Sequence, residues 1–121
     1  MHITERTVDD ITVLDLEGRL TIGDGAELLR DKVTSIVFQG RNKILLNLAG
    51  VPYMDSGGLG ELVRCSIAAR KADGEVKLVN LTSRITDLLS ITKLLTVFDT
   101  FESEPAALGS FRKAAPAVPV R

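Results

Sequence analysis

Short apolar runs alternate with longer amphipathic segments along most of this 121-residue chain. Lys43 to Leu48 is almost wholly apolar, which is typical of a strand covered on both faces, and Val76 to Leu81 is a second predicted strand. The segments Asp24 to Phe38 and Leu59 to Ala72 carry apolar residues at helical spacing. Strands that alternate with helices pair in parallel through right-handed crossovers, so the chain is predicted to be an α/β protein.

The N-terminal segment adds an antiparallel pair to this sheet. Ile3 to Val8 and Ile11 to Glu17 have strand character and are joined at Asp9-Asp10, which predicts a tight hairpin. Gly18 then ends the β-like pattern. The predicted sheet is therefore mixed.

The C-terminal part is predicted to hold two short helices around one more strand. Thr82 or Ser83 can cap the first helix, and Val97-Phe98 is the candidate strand. Ser103-Glu104-Pro105 is a good start for the last helix because proline is tolerated in the first turn. This helix is expected to reach about Lys113. The whole chain thus predicts a mixed sheet of four to five strands with about four helices.

The composition fits one domain, residues 1–113, followed by a flexible tail at 114–121 that contains two prolines. The net charge of −1 gives no basic surface for direct nucleic-acid binding or for anionic lipid. No apolar run approaches the roughly 20 residues of a membrane span, and the N-terminus has no signal pattern. The single cysteine, Cys65, fits a reducing compartment. We expect a cytoplasmic protein without membrane insertion.

The run Met54-Asp55-Ser56-Gly57-Gly58-Leu59-Gly60 places a serine where a strand ends and a helix begins. Helix N-termini have unpaired N–H groups and a positive dipole end, so a phosphate on Ser56 could be held there. A purely structural interpretation is also open, because Asp55 or Ser56 could cap the helix and the glycines could serve a tight turn.

The same run resembles the aspartate–serine–serine–glycine–leucine–glycine signature of STAS domains, and more closely that of bacterial anti-sigma factor antagonists. The similarity extends over roughly residues 3 to 113. It is carried by three further segments: Gly18-Arg19-Leu20, Lys43 to Leu48, and Leu94 to Phe98 followed by Glu102-Ser103-Glu104. The combination is more specific than any one segment.

The resemblance implies a STAS fold and a role in partner exchange rather than catalysis, with no cofactor and no metal. In this family the unphosphorylated antagonist binds an anti-sigma factor, often a serine-protein kinase, and a sigma factor is released. The kinase then phosphorylates the serine after the aspartate, here Ser56, which switches binding off, and a serine phosphatase reverses the step. The implied partner-binding positions are Asp55, Ser56, Gly57, Gly58, Leu59, Thr21 and Asp24.

Two positions depart from the family pattern. The second serine of the signature is Gly57 here, so one hydroxyl is lost while the phosphoacceptor is kept. An acidic residue of the family falls on Thr21, and an insertion near Ile22-Gly23 could let Asp24 replace it. These departures affect the partner contacts more than the fold.

Two other classes of function stay open at this point. The domain could be a phosphorylation-independent adaptor of a membrane transporter, as some STAS modules are. It could also be a small enzyme or nucleotide-binding module, although the chain has no self-sufficient catalytic set. Asp55 is better explained as a cap than as a catalytic acid, and His2 and Cys65 lack partners in the sequence. The sequence does not determine the oligomeric state.

Overall fold

Five strands and four helices account for most of the residues that the computed structural model describes, 1–114, with side chains through Phe111. The strands are β1 His2–Val8, β2 Ile11–Glu17, β3 Lys43–Gly50, β4 Glu75–Val79 and β5 Asp99–Phe101. The helices are α1 Ala26–Phe38, α2 Ser56–Lys71, α3 Ser83–Ile91 and α4 Glu104–Ala114. The predicted mixed α/β sheet with four helices is confirmed.

The strands lie in the sheet in chain order, from β1 to β5. β1 and β2 form the predicted antiparallel hairpin, in which Val8 pairs with Ile11 and Asp9 takes a left-handed conformation with φ 56°. All later neighbours are parallel. The carboxyl ends of β2, β3 and β4 therefore lie along one edge, and the segments that enter α1, α2 and α3 start from that edge.

The larger core lies on the sheet face covered by α1, α2 and α3. Leu14, Leu46 and Leu78 are neighbours across β2, β3 and β4, and all three are fully buried in this core. Each covering helix contributes buried side chains: Leu29 from α1, Leu62 from α2 and Ile85 from α3. Burial of one such leucine or isoleucine contributes about 1.5–3 kcal/mol.

The opposite sheet face is covered by α4, through Leu108 and Phe111. Arg6 of β1 ties the start of this helix to the sheet, because its guanidinium contacts Asp15 at 2.6 Å and Glu104 at 2.7 Å. Hydrogen bonding to Arg6 holds the pKa of both carboxyl groups below their usual range. Helix α4 is therefore fixed by a charge network as well as by apolar packing.

The prediction of a strand at Val97-Phe98 is wrong. The Val97 N–H donates to the Leu94 carbonyl at 3.0 Å, which closes a turn, and Phe98 is buried in the larger core. Pairing with β4 begins only at Asp99, opposite Lys77. Val97-Phe98 is apolar because Phe98 packs in the core just before the strand, and not because it belongs to the strand.

Several predicted boundaries shift by one to three residues for local reasons. α1 begins at Ala26 rather than Asp24, because Gly25 at φ 98° is not helical. β4 ends at Val79 because Asn80 has a positive φ of 59°. α4 includes Ala114, so the predicted tail at 114–121 otherwise lies outside the described residues.

Candidate functional site

The segments that follow β2 and β3 meet at the carboxyl edge of the sheet. The Leu20 N–H donates to the Tyr53 carbonyl at 3.0 Å, and the Asp55 N–H donates to the Leu20 carbonyl at 3.4 Å. We call residues 18–25 and 53–60 together the Ser56 site. All seven residues that the sequence singled out lie within these two hydrogen-bonded segments.

Asp55 is the N-cap of α2. Its extended backbone lets the carboxylate Oδ1 accept the Gly58 N–H at 2.9 Å. Ser56 is then the first helical residue, and it is exposed. Of the two capping candidates, the aspartate fills the role, so the Ser56 side chain faces solvent at the positive end of a 16-residue helix.

The first turns of α1 and α4 each hold a glutamate, whereas those of α2 and α3 hold no acidic side chain. The N–H groups at a helix start have no partner within the helix, and their dipole favours an anion. The Gly58 N–H is taken by Asp55 Oδ1, so an anion at this end would meet the remaining N–H groups of the first turn, with no first-turn carboxylate to repel it.

The loop after β2 forms a tight turn at Thr21–Asp24. The Thr21 N–H donates to the Asp24 carbonyl at 2.8 Å, and the Asp24 N–H returns a bond to Thr21 at 3.0 Å. Thr21 is buried, whereas the Asp24 side chain is half exposed and lies 3.5 Å from the Met1 nitrogen. Of the two loop residues expected to contact a partner, Asp24 presents its carboxylate at the surface, and Thr21 closes the turn.

Gly57 and Gly58 are close to this loop. A Cβ atom at position 58 would overlap the Leu20 carbonyl, whose carbon would lie 2.8 Å away. A Cβ atom at position 57 would overlap the side chain of Ile22, which rests on this glycine. Glycine is therefore needed at position 58 for backbone packing, and at position 57 to leave room for Ile22.

A cationic and aromatic cluster that the sequence did not predict joins two residues of the site, Arg19 and Tyr53, to Arg84. The guanidinium carbons of Arg19 and Arg84 lie 5.3 and 5.8 Å from the centre of the Tyr53 ring. Tyr53 is partly exposed, one residue before Met54. Arg84 belongs to α3 and is remote in sequence, so no local pattern could place it beside Tyr53.

Glu61 belongs to α2 but does not face solvent. The residue is buried, and its carboxylate accepts the Arg30 Nε–H at 3.0 Å, with Arg64 Nε 3.6 Å away. The ion pair across α1 and α2 offsets the cost of burying the charge. The spacing of residues within one helix carries no information about an ion-pair partner on another helix, so it predicts that a glutamate faces solvent.

Cys65 lies one turn after Glu61 and is also buried. Its Sγ lies 3.7 Å from Glu61 Oε2, and burial, aided by this carboxylate, raises the pKa of the thiol well above its usual range. A nucleophilic cysteine needs the opposite shift. Cys65 is therefore a packing residue.

Within residues 1–114, no group of three or more His, Cys, Asp or Glu side chains could hold a metal ion. Over the same range, none of the helices combines the length and apolar character needed to cross a membrane.

A family model described as the STAS domain matches residues 2–107. The chain belongs to the STAS domain family. Its resemblance to anti-sigma factor antagonists is also confirmed. An anti-sigma-B factor antagonist of Staphylococcus aureus is 32% identical over 94 residues, which cover 78% of this chain and 86% of that protein.

Solved structures agree with this assignment. A crystal structure from Thermotoga maritima, described as a candidate anti-sigma factor antagonist, has a TM-score of 0.85 and 27% identity, covering 91% of this chain and 94% of that one. The Bacillus cell fate determinant SpoIIAA in its phosphorylated form shares the fold, with a TM-score of 0.71 and 22% identity over 90% of this chain and 98% of that one.

Proposed function

We propose that this STAS domain is an anti-sigma factor antagonist. In its unphosphorylated form it binds an anti-sigma factor that is also a serine-protein kinase, and this binding releases a sigma factor in the cytoplasm. The main observation in support is that Ser56 is exposed at the first position of α2 while Asp55 supplies the cap. The relatives named as antagonists support the same function, and no observation favours the transporter adaptor.

Phosphorylation of Ser56 by the bound kinase would switch the interaction off by charge. A phosphoryl group adds about −1.5 to −2 charges at neutral pH. The N-terminus of α2 would stabilise it by about 0.3–1 kcal/mol, so the modified chain keeps its conformation. The partner surface that accepts a neutral hydroxyl would instead face an unmatched charge. Such a mismatch costs about 2–5 kcal/mol, and each 1.4 kcal/mol weakens binding about tenfold.

The antagonist itself is proposed to be non-enzymatic. The Asp55 carboxylate is engaged with the Gly58 N–H, so it orients the turn, and the kinase supplies the base that activates Ser56. A serine phosphatase would restore the hydroxyl. No cofactor and no direct nucleic-acid contact enter this cycle.

The experiment uses the purified serine kinases of the host that have the histidine-kinase-like ATPase fold. Each is incubated with the full chain and Mg-ATP, the modified residue is located by mass spectrometry, and binding is measured by calorimetry. We expect one kinase to modify Ser56. The same kinase should bind wild type and the Ser56→Ala variant, and it should not bind the Ser56→Asp variant.

A matched control is available in α3. Ser83 is also the first residue of its helix, is exposed, and follows a capping side chain, Thr82. Ser83→Asp adds the same charge at an equivalent helical position and is expected to keep binding. Equal binding of Ser56→Ala and Ser56→Asp, or modification of Ser83 in place of Ser56, would contradict the proposed function.

A further inference from the structure

We propose that Ile22 is the apolar anchor of the partner interface, and that Gly57 is the residue that allows it to be seated there. The pair would determine which anti-sigma factor the domain accepts, whereas Ser56 determines when. This inference rests on the proposed function and adds to it a residue pair that recognises an apolar side chain on the partner.

Ile22 occupies an unusual position for a large apolar side chain. It is 78% exposed, at the tip of the Thr21–Asp24 turn. Its Cγ1 and Cδ1 atoms lie over Gly57, where a Cβ atom would overlap them. An exposed isoleucine thus sits against the residue that directly follows the phosphoacceptor.

Ile22 lies where a kinase must contact the chain to reach Ser56. An enzyme that transfers a phosphoryl group to Ser56 must cover the first turn of α2. Because Ile22 lies on Gly57 in that turn, the same enzyme must cover Ile22. The occupant of this apolar surface is therefore the kinase itself, and its contact removes a large exposed side chain from water.

The turn presents Ile22 in a fixed position. Paired backbone hydrogen bonds join Thr21 and Asp24, and the Ala26 N–H donates to Thr21 at 3.3 Å. A preorganised loop loses little conformational freedom on binding, so most of the gain from burying Ile22 is kept as affinity.

A shallow groove beside Ile22 indicates the chemistry of the partner. It runs between α1 and α2, and its floor includes Ala26, Gly57 and Gly60. A Cβ atom at Gly60 would meet nothing within 4 Å, so this end is open. The guanidinium groups at its wall, those of Arg30 and Arg64, are shared with Glu61. Glu27 also lines the groove, so two carboxylates balance the two guanidinium groups, and a lining of small residues with balanced charge fits an aliphatic or aromatic side chain.

Gly57 and Ile22 depend on each other. A side chain at position 57, where the family signature has serine, would push Ile22 off the first turn of α2. The displaced Ile22 atoms belong to a rotatable, exposed side chain, and Asp55 Oδ1, which a Cβ atom would approach to 3.2 Å, needs to shift only slightly. The fold can therefore accept the change while the anchor is lost. Substitutions at the two positions should therefore not be additive.

The test measures calorimetric affinity for the kinase that modifies Ser56, using the full chain. Ile22→Ala is expected to weaken binding about tenfold or more. Its control is Ile91→Ala, because Ile91 is equally exposed, at 78%, but lies at the end of α3. The control is expected to bind like wild type. Gly57→Ala should weaken binding similarly, and the double variant Ile22→Ala/Gly57→Ala should be hardly weaker than either single variant.

A second readout needs no partner: the Cδ1 methyl resonance of Ile22 should shift in Gly57→Ala while the fold is kept. Wild-type affinity for Ile22→Ala, additive losses in the double variant, or an unmoved methyl resonance would overturn the inference and leave the Ser56 switch standing. If no kinase binds wild type or distinguishes Ser56→Asp from Ser56→Ala, the proposed function fails, and this inference fails with it.

Discussion

Gly58→Ala and Gly60→Ala should change stability in opposite directions although both add one methyl group to α2. At position 58 the new Cβ would lie 2.8 Å from the Leu20 carbonyl carbon and overlap its oxygen, and the backbone of this loop cannot rotate away. Overpacking of this kind costs about 1–3 kcal/mol. Alanine returns up to about 1 kcal/mol as a better helix former. Because the overlap is with backbone atoms, the upper part of the overpacking range, about 2–3 kcal/mol, applies, and the net loss expected for Gly58→Ala is about 1–2 kcal/mol.

At position 60 the added methyl group meets nothing within 4 Å, so only the helix-propensity term remains. Gly60→Ala should raise the free energy of unfolding by about 0.5–1 kcal/mol. Urea unfolding followed by circular dichroism measures both, and the midpoint should fall for one variant and rise for the other with an unchanged slope. Equal midpoints would refute the close approach of α2 to Leu20, on which the geometry of the Ser56 site depends.

Three further changes test other contacts. Asp55→Ala should lower the free energy of unfolding, measured in urea, by about 0.5–2 kcal/mol. Asp55→Ser should restore most of this loss, because serine can cap the helix again. Arg6→Met should destabilise at neutral pH. The pKa values of Asp15 and Glu104 are lowered, so the stability they contribute is fully present above the usual carboxyl range. The difference between wild type and variant should begin to shrink at about pH 4 and disappear as the pH falls through the lowered pKa values. Buried Cys65 should resist a thiol reagent in the native protein and react in urea; native-state labelling would contradict its raised pKa.

Local signals were sufficient for most of the fold. The apolar run at β3 and the hairpin at Asp9-Asp10 depend on neighbours in sequence, and both predictions are confirmed. The cap of α3 was predicted at Thr82 or Ser83, and Thr82 fills the role. The failure at Val97-Phe98 has the opposite cause. Phe98 is buried by tertiary packing rather than by strand pairing, and its apolar character alone cannot distinguish the two.

The site was predictable only in part, for a related reason. Ser56 could be placed at the start of α2 because it follows a strand and precedes a helical period. That Asp55 and not Ser56 caps the helix could be learned only from the structure, in which Asp55 Oδ1 accepts the Gly58 N–H. Glu61 with Arg30, and Ile22 with Gly57, are contacts between different segments, so no local pattern in the sequence could pair them.

The contacts that position the Ser56 site do not involve the serine hydroxyl. Asp55 caps α2, Gly58 admits the Leu20 carbonyl, and the turn after β2 is closed by its own backbone. A phosphoryl group on Ser56 therefore adds charge without removing a bond that holds the fold. In the proposed switch, the free energy that separates the unphosphorylated from the phosphorylated state would come from the partner's contacts. Affinity would then be adjusted at the apolar contact of Ile22, and switching at the charge on Ser56.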